Sequence, residues 1–267
     1  MDRVIYITGA SSDIGKNLRK KLSNSRYKVY VLSRNKIKTF SNESYIKYDL
    51  GDRICPIIGN YEHIIFHLAH DYYDRKFEKN TNVYGLQKII HSFKNVSSKK
   101  IVFISTADCS NPKSTIYTSQ KRISESLLDL KKDLIVRPSL IFSDNNINKL
   151  FKNLPKFGVP IPINRSRIAP MNIENFCEEL YNLVLNESAV GIILFLGQEN
   201  ISLKDFIYKK YKIKTFNSYN SLWIVLIYLF KFTRIPILFF LSERILGFIY
   251  LRDVENIKED EVSKRYI

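Results

Sequence analysis

One pair of side chains in the sequence has the spacing to move a proton. In "IYTSQK", residues 116–121, Tyr117 and Lys121 stand four residues apart, so on a helix they share one face. A phenol with a pKa of ~10 is a poor acid or base at neutral pH, and a nearby ammonium lowers that value. A tyrosine so placed can pass a proton to or from a substrate oxygen. Upstream, "FISTADC" puts Thr106 at the end of an apolar run, where its hydroxyl can hydrogen-bond the same oxygen. Alone, the pattern equally describes a packed tyrosine beside a solvated lysine. The elements around it decide.

Those elements include a glycine-bearing turn, "ITGASSDIGKNL", residues 7–18. A turn of this kind lets backbone N–H groups approach a pyrophosphate at the N-terminus of the following helix. Ser12 and Asp13 occupy the two places where a middle glycine could sit, and Asp13 brings a negative charge. Asp13 also has the chemistry to cap the following helix. At the end of the second apolar run stands "VLSRN", with Ser33 and Arg34 and no carboxylate. An acidic residue there takes the ribose hydroxyls of NAD, whereas an arginine accommodates the 2′-phosphate of NADP. NADP(H) is therefore favoured, with NAD(H) the alternative.

Apolar runs at 3–8, 28–33, 45–48, 63–68, 100–105 and 133–137 read as strands, separated by helical segments at 14–24, 74–97 and 113–131. Near-continuous apolar strands between amphipathic helices predict an α/β protein whose parallel sheet is covered on both faces. Beyond about residue 139 the pattern loosens. "LPKFGVPIPI" reads as loop, 172–187 and 202–211 as helices, and 191–196 as a strand. The segment 221–251 is the most apolar in the chain but is interrupted by Lys231, Arg234, Pro236, Glu243 and Arg244. It falls short of the ~20 apolar residues of a spanning helix. Two helices packed on the body are expected there, and a membrane-surface position is the alternative.

Composition narrows the class. The net charge of +16 is spread along the chain among Asn and Ile, with no zinc finger, no RNA-binding signature and no concentrated basic helix. A nucleic-acid partner is not expected, and an anionic substrate is favoured. Cys55, Cys109 and Cys177 form no pair and no metal-binding spacing, and are read as buried small hydrophobes in a reducing compartment. His67 and His70 have no third ligand nearby, so no metal is expected. The opening residues lack a secretory signal pattern. A cytoplasmic location follows, at the inner membrane surface if 221–251 lies on lipid.

Several motifs, in order, resemble those of extended short-chain dehydrogenases/reductases of the NAD-dependent epimerase/dehydratase family, which act on nucleotide-activated sugars. "TGASSDIG" resembles the family's TGxxGxxG turn, with Gly9, Ser11, Ser12, Asp13, Ile14 and Gly15 at the cofactor and Ser12 at the middle-glycine place. "YDLGD" resembles the segment that meets the adenine, here Asp49 and Leu50. "FHLAH" resembles the strand beneath the nicotinamide ribose, with Leu68 and Ala69, and "NVYGLQKII" places Asn82 at the family's helix asparagine. "IVRPSLIF" resembles the turn carrying Pro138, and "PMNIENFCEEL" and "ILFLGQENISLKDF" resemble segments that shape the sugar pocket.

The resemblance implies a Rossmann-like doubly wound domain over 1–140 and a smaller substrate-binding lobe over 141–267. It makes Thr106, Tyr117 and Lys121 the catalytic set, with Thr106, Tyr117, Arg165 and Arg167 on a nucleotide-sugar substrate. Family dehydratases follow the active-site threonine with Asp and Glu, whereas here Ala107 and Asp108 follow, which lowers the dehydratase reading. The implied activity is reduction of a keto group on the sugar, or epimerisation at C4, in a chain compatible with a homodimer. The competing classes are a non-catalytic NADP-binding sensor or scaffold on the same fold, and a membrane-surface enzyme using a polyprenyl-diphosphate sugar.

Overall fold

Alternation along the first strand sets up two core layers. In a computed structural model of the chain, Val4 and Tyr6 of β1 (Asp2–Thr8) join one apolar cluster while Ile5 and Ile7 join another. This is the period-two placement of a strand buried on both faces. The structure describes residues 2–74, 80–111, 115–143, 167–232, 238, 242–243, 246 and 249, together with the backbone of 159–162 and 264–266.

From β1 the chain runs through α1 (Asp13–Leu22), β2 (Lys28–Ser33), β3 (Glu43–Lys47), β4 (Tyr61–His67), α2 (Thr81–Ser92) and β5 (Lys99–Ile104). A single 3₁₀ turn (Ala107–Ser110), α3 (Ile116–Glu125) and β6 (Leu134–Pro138) follow. Every pairing among these strands is parallel. The sheet order is β3-β2-β1-β4-β5-β6, so the order reverses between β1 and β4. Ligands bind at the carboxyl ends of the strands beside such a reversal. Helix α1 covers one face, and α2 and α3 pack together on the other.

The later chain does not leave the sheet. After β7 (Ile141–Phe142), β8 (Val159–Pro162), β9 (Arg167–Ile168) and β10 (Met171–Asn172), helix α4 (Ile173–Leu185) packs against α1. Strand β11 (Gly191–Phe195) then pairs with β6, and β14 (Lys264–Tyr266) extends the sheet beyond it. Between them lie β12 (Ile201–Ser202), α5 (Leu203–Tyr211), β13 (Thr215–Ser218) and α6 (Asn220–Phe232).

Four sequence expectations need correction. Helix α2 begins at Thr81 rather than 74, because the Asn80 side chain caps it by accepting the Val83 N–H at 2.8 Å, and ends at Ser92 rather than 97, where the Lys94 and Val96 N–H groups turn back onto the His91 and Phe93 carbonyls. Helix α3 ends at Glu125 rather than 131, because Asp129 and Asp133 draw the 129–131 backbone into a turn. "LPKFGVPIPI" contains strand β8, paired in parallel with β13. Cys55 is exposed, whereas Cys109 and Cys177 are buried as expected.

Candidate active site

The turn after β1 is built on two close approaches. Gly9 has φ +65°, and a Cβ there would sit 2.8 Å from the Ala69 backbone nitrogen and 2.9 Å from the Leu68 carbonyl carbon. A Cβ on Gly15 would sit 2.5 Å from the Gly9 carbonyl oxygen. Only glycine lets the turn, the end of β4 and the start of α1 come together in this way. Between them Ser12, not Asp13, caps α1: its Oγ accepts the Gly15 N–H at 3.1 Å. The cap falls on Ser12 because its extended backbone makes the bend, leaving Asp13 in the first helical turn, 3.9 Å from Lys16 Nζ. A serine hydroxyl that accepts one bond keeps its own proton to donate. A small, glycine-lined cradle at a helix N-terminus beside the sheet reversal fits a dinucleotide pyrophosphate.

Around that cradle, Ser11 is exposed, Ile14 is half-buried, and Arg34 stands exposed just past β2. Asp49 is exposed beyond β3 and accepts the Leu50 N–H at 2.9 Å, while Leu50 sits against Gly85 of α2. Pro138 is buried at the end of β6, opposite Phe195. Asn82 is buried, its amide donating to the Asp71 carbonyl at 3.0 Å and to Gln120 Oε1 at 2.9 Å, and its oxygen accepting the Asp71 N–H at 2.6 Å. It ties the loop after β4 to α3. Arg167 is exposed on β9, and Arg165 lies outside the described residues.

Helix α3 brings the proton-moving pair to the same edge of the sheet. A reciprocal capping box between Thr115 and Thr118 fixes its start. Glu243 accepts the Ile116 N–H at 2.8 Å, so a carboxylate from the far end of the chain also holds this N-terminus. One turn on, Lys121 is buried and donates from Nζ to the Ile104 carbonyl at the end of β5, at 2.7 Å. Its ammonium lies 4.6 Å from the Phe103 ring centroid and 5.8 Å from that of Tyr117. Burial pulls the Lys121 pKa down to about 8. Thr106 lies just past β5, where its Oγ1 caps the 3₁₀ turn by accepting the Asp108 N–H at 3.4 Å.

Three features of the site had not been read from the sequence. His67 is buried beneath the edge, 2.8 Å from Thr8 Oγ1, and burial with the nearby Lys121 charge pushes its pKa down to about 3. It is therefore a neutral partner of Thr8. His70 meets the Tyr117 ring edge-on at 5.0 Å and Tyr72 stacks on it at 5.8 Å. Finally, Arg137 of β6 makes a bidentate pair with Glu125 at 3.0 and 2.7 Å and reaches Ser110 at 3.2 Å, joining β6, α3 and the 3₁₀ turn. Glu125 is four residues beyond Lys121, on the same helical face.

A parallel sheet with this strand order and this glycine turn defines a Rossmann-like α/β fold. Residues 5–128, from within β1 to just past α3, match the model of the NAD dependent epimerase/dehydratase family. No curated protein matches the sequence. Among solved structures, a hypothetical dTDP-4-dehydrorhamnose reductase from Sulfolobus tokodaii is 22% identical with a TM-score of 0.61, over 81% of this chain and 85% of that one. MoeE5 in complex with UDP-glucuronic acid and NAD is 14% identical with a TM-score of 0.60, over 82% and 85%. The human epimerase family protein SDR39U1 with NADPH is 11% identical with a TM-score of 0.62, over 82% and 84%. At such identities the likeness is one of fold.

Proposed function

We propose that this chain is an NADP(H)-preferring oxidoreductase that reduces a keto group on a nucleotide-linked sugar. The observation that carries the reading is the α3 pair: Tyr117 above a buried Lys121 whose ammonium is fixed on the Ile104 carbonyl. The bound nicotinamide would supply the hydride. Gly9, Ser12, Gly15 and the N-terminus of α1 would hold its pyrophosphate, and Arg34 its 2′-phosphate. Thr106 positions the carbonyl oxygen by a hydrogen bond. Tyr117 donates its phenolic proton to that oxygen as the carbonyl becomes an alcohol. The Lys121 ammonium stabilises the phenolate left behind until water returns the proton.

The family match over 5–128 supports the chemistry, and the neighbours crystallised with UDP-glucuronic acid and NAD or with NADPH support the substrate class and cofactor. Ala107, where the family's dehydratases carry an acid, favours reduction over elimination of water. The Arg34 position favours NADP(H), and Arg165 and Arg167 would meet the nucleotide diphosphate. The test incubates purified protein and NADPH with a panel of nucleotide sugars and their 4-keto derivatives. Loss of NADPH absorbance with appearance of the alcohol is expected. Inversion at C4 without net NADPH loss would make the enzyme an epimerase instead. No turnover across the panel would favour a cofactor-binding scaffold.

A further inference from the structure

Helix α6 has its apolar side turned outward. Leu222, Val225, Tyr228, Leu229 and Phe232 are 64, 59, 71, 58 and 87% exposed, and Ile224 is exposed as well. At 3.6 residues per turn these six fall within one arc of roughly 160°. The opposite side carries the buried Ile227 with the half-buried Trp223, Leu226 and Lys231. A helix that packs on a domain shows the reverse arrangement, with polar residues on its outer arc. The exposed Phe216 and Tyr219 just before the helix enlarge the patch.

The chain leading into this patch is basic. Between residues 203 and 232 the chain has six lysines, Lys204, Lys209, Lys210, Lys212, Lys214 and Lys231, and one carboxylate, Asp205. Lys209 pairs with Glu199 and Lys231 with Glu243. Helix α5, which carries three of these lysines, packs against β13, the strand that leads into α6.

We propose that this face docks in the plane of an anionic lipid bilayer, the apolar arc entering the acyl boundary and the lysines meeting the headgroups. At ~1.5 Å per residue, thirteen residues make about 20 Å, short of the ~30 Å hydrocarbon core. Among the described residues no helix is long and apolar enough to cross a membrane. The helix therefore lies on the surface. Charge selects lipid over a second copy of the chain. A two-fold interface here would press two lysine-rich flanks together in a protein of net charge +16, whereas an anionic leaflet attracts each lysine. Tyr219 and Tyr228 suit the same boundary, since their rings are apolar with a polar tip.

The inference does not depend on the reductase reading, because vesicle binding is read without substrate. The 267-residue chain is floated with vesicles of phosphatidylcholine alone and of phosphatidylcholine with phosphatidylglycerol. Flotation with the anionic vesicles is expected, falling as salt shortens the screening length from ~10 Å at 0.1 M to ~3 Å at 1 M. The double variant Val225→Ser/Leu229→Ser should bind at least ~10-fold more weakly while melting as the parent does. Lys212→Glu/Lys214→Glu should weaken binding to the anionic vesicles. Absence of flotation, flotation indifferent to both variants, or a dimer that the serine variant dissociates would overturn the proposal, the last making the occupant a second copy.

Discussion

Helices α4 and α6 are both thirteen residues long and both rich in leucine and aromatics, yet they relate to the sheet in opposite ways. In α4, Phe176, Cys177, Leu180, Leu183 and Val184 are buried against α1 and the sheet, and Glu174 and Glu179 are exposed. In α6 only Ile227 is buried, and six apolar residues form the outer surface. The first helix obeys the pattern of a core element. The second breaks it along one continuous arc. Where apolar pattern and burial agree, the chain is describing its own fold. Where they disagree over a whole helix face, that face is the docking surface proposed above.

The largest expected effect lies at the site the core elements position. Tyr117→Phe removes the proton donor and leaves the packing with His70 and Tyr72, so turnover should fall by ~10²–10⁴-fold with NADPH affinity and melting unchanged. Full turnover in the folded variant would remove Tyr117 from the chemistry. Next, the two helices can be set against each other directly. Leu180→Ala should cost about 2–5 kcal/mol in denaturant unfolding, because it opens a cavity under α1. Leu229→Ala should stay within about 0.5 kcal/mol, because that side chain already meets solvent. Equal losses would mean that α6 is a core helix and would dissolve the contrast.

Smaller effects concern the cofactor and pH. Arg34→Ala should weaken NADPH about ten- to a hundredfold by calorimetry and leave NADH nearly unchanged, as expected for one charge-assisted contact. Equal losses for both would give Arg34 a general structural role. For Lys121 the sign follows from a folded pKa of about 8 against an ordinary 10.5. The ammonium is present below about pH 8 and is lost above it, so kcat/KM should fall about tenfold per pH unit on that limb. The unfolded chain holds that proton more tightly, so stability relative to Lys121→Met should rise from about pH 8 toward 10.5. Activity flat through this range would mean that the ammonium does not assist Tyr117.

Most of the sheet and the α3 pair were legible in the sequence because their signals are local. Buried parallel strands leave continuous apolar runs such as Val4–Ile7, and Tyr117 and Lys121 need only a helix to share a face. Three things were not legible, each for a tertiary reason. Ser12 and Asp13 are both good caps, and the choice depended on where the chain bends after Gly9. The Thr8–His67 bond and the Arg137–Glu125 pair join residues on neighbouring elements, a relation no spacing reveals. In α6 nearly every position is apolar, so periodicity could not say which arc faces the body. The expected packing of two helices over 221–251 therefore missed the outward face of the first. Of the second, only scattered residues are described.

The central claim is that the α3 edge carries a carbonyl reduction in which hydride leaves a bound nicotinamide as Tyr117 gives the proton. The most direct measurement uses NADPH deuterated on the transferring face of the nicotinamide C4, with a 4-keto nucleotide sugar, and reads the product by mass spectrometry and NMR. The account predicts a 4-hydroxy sugar with deuterium at C4, formed by the parent and lost in Tyr117→Phe. A product whose C4 hydrogen comes from water, or labelled product formed equally by Tyr117→Phe, would contradict it.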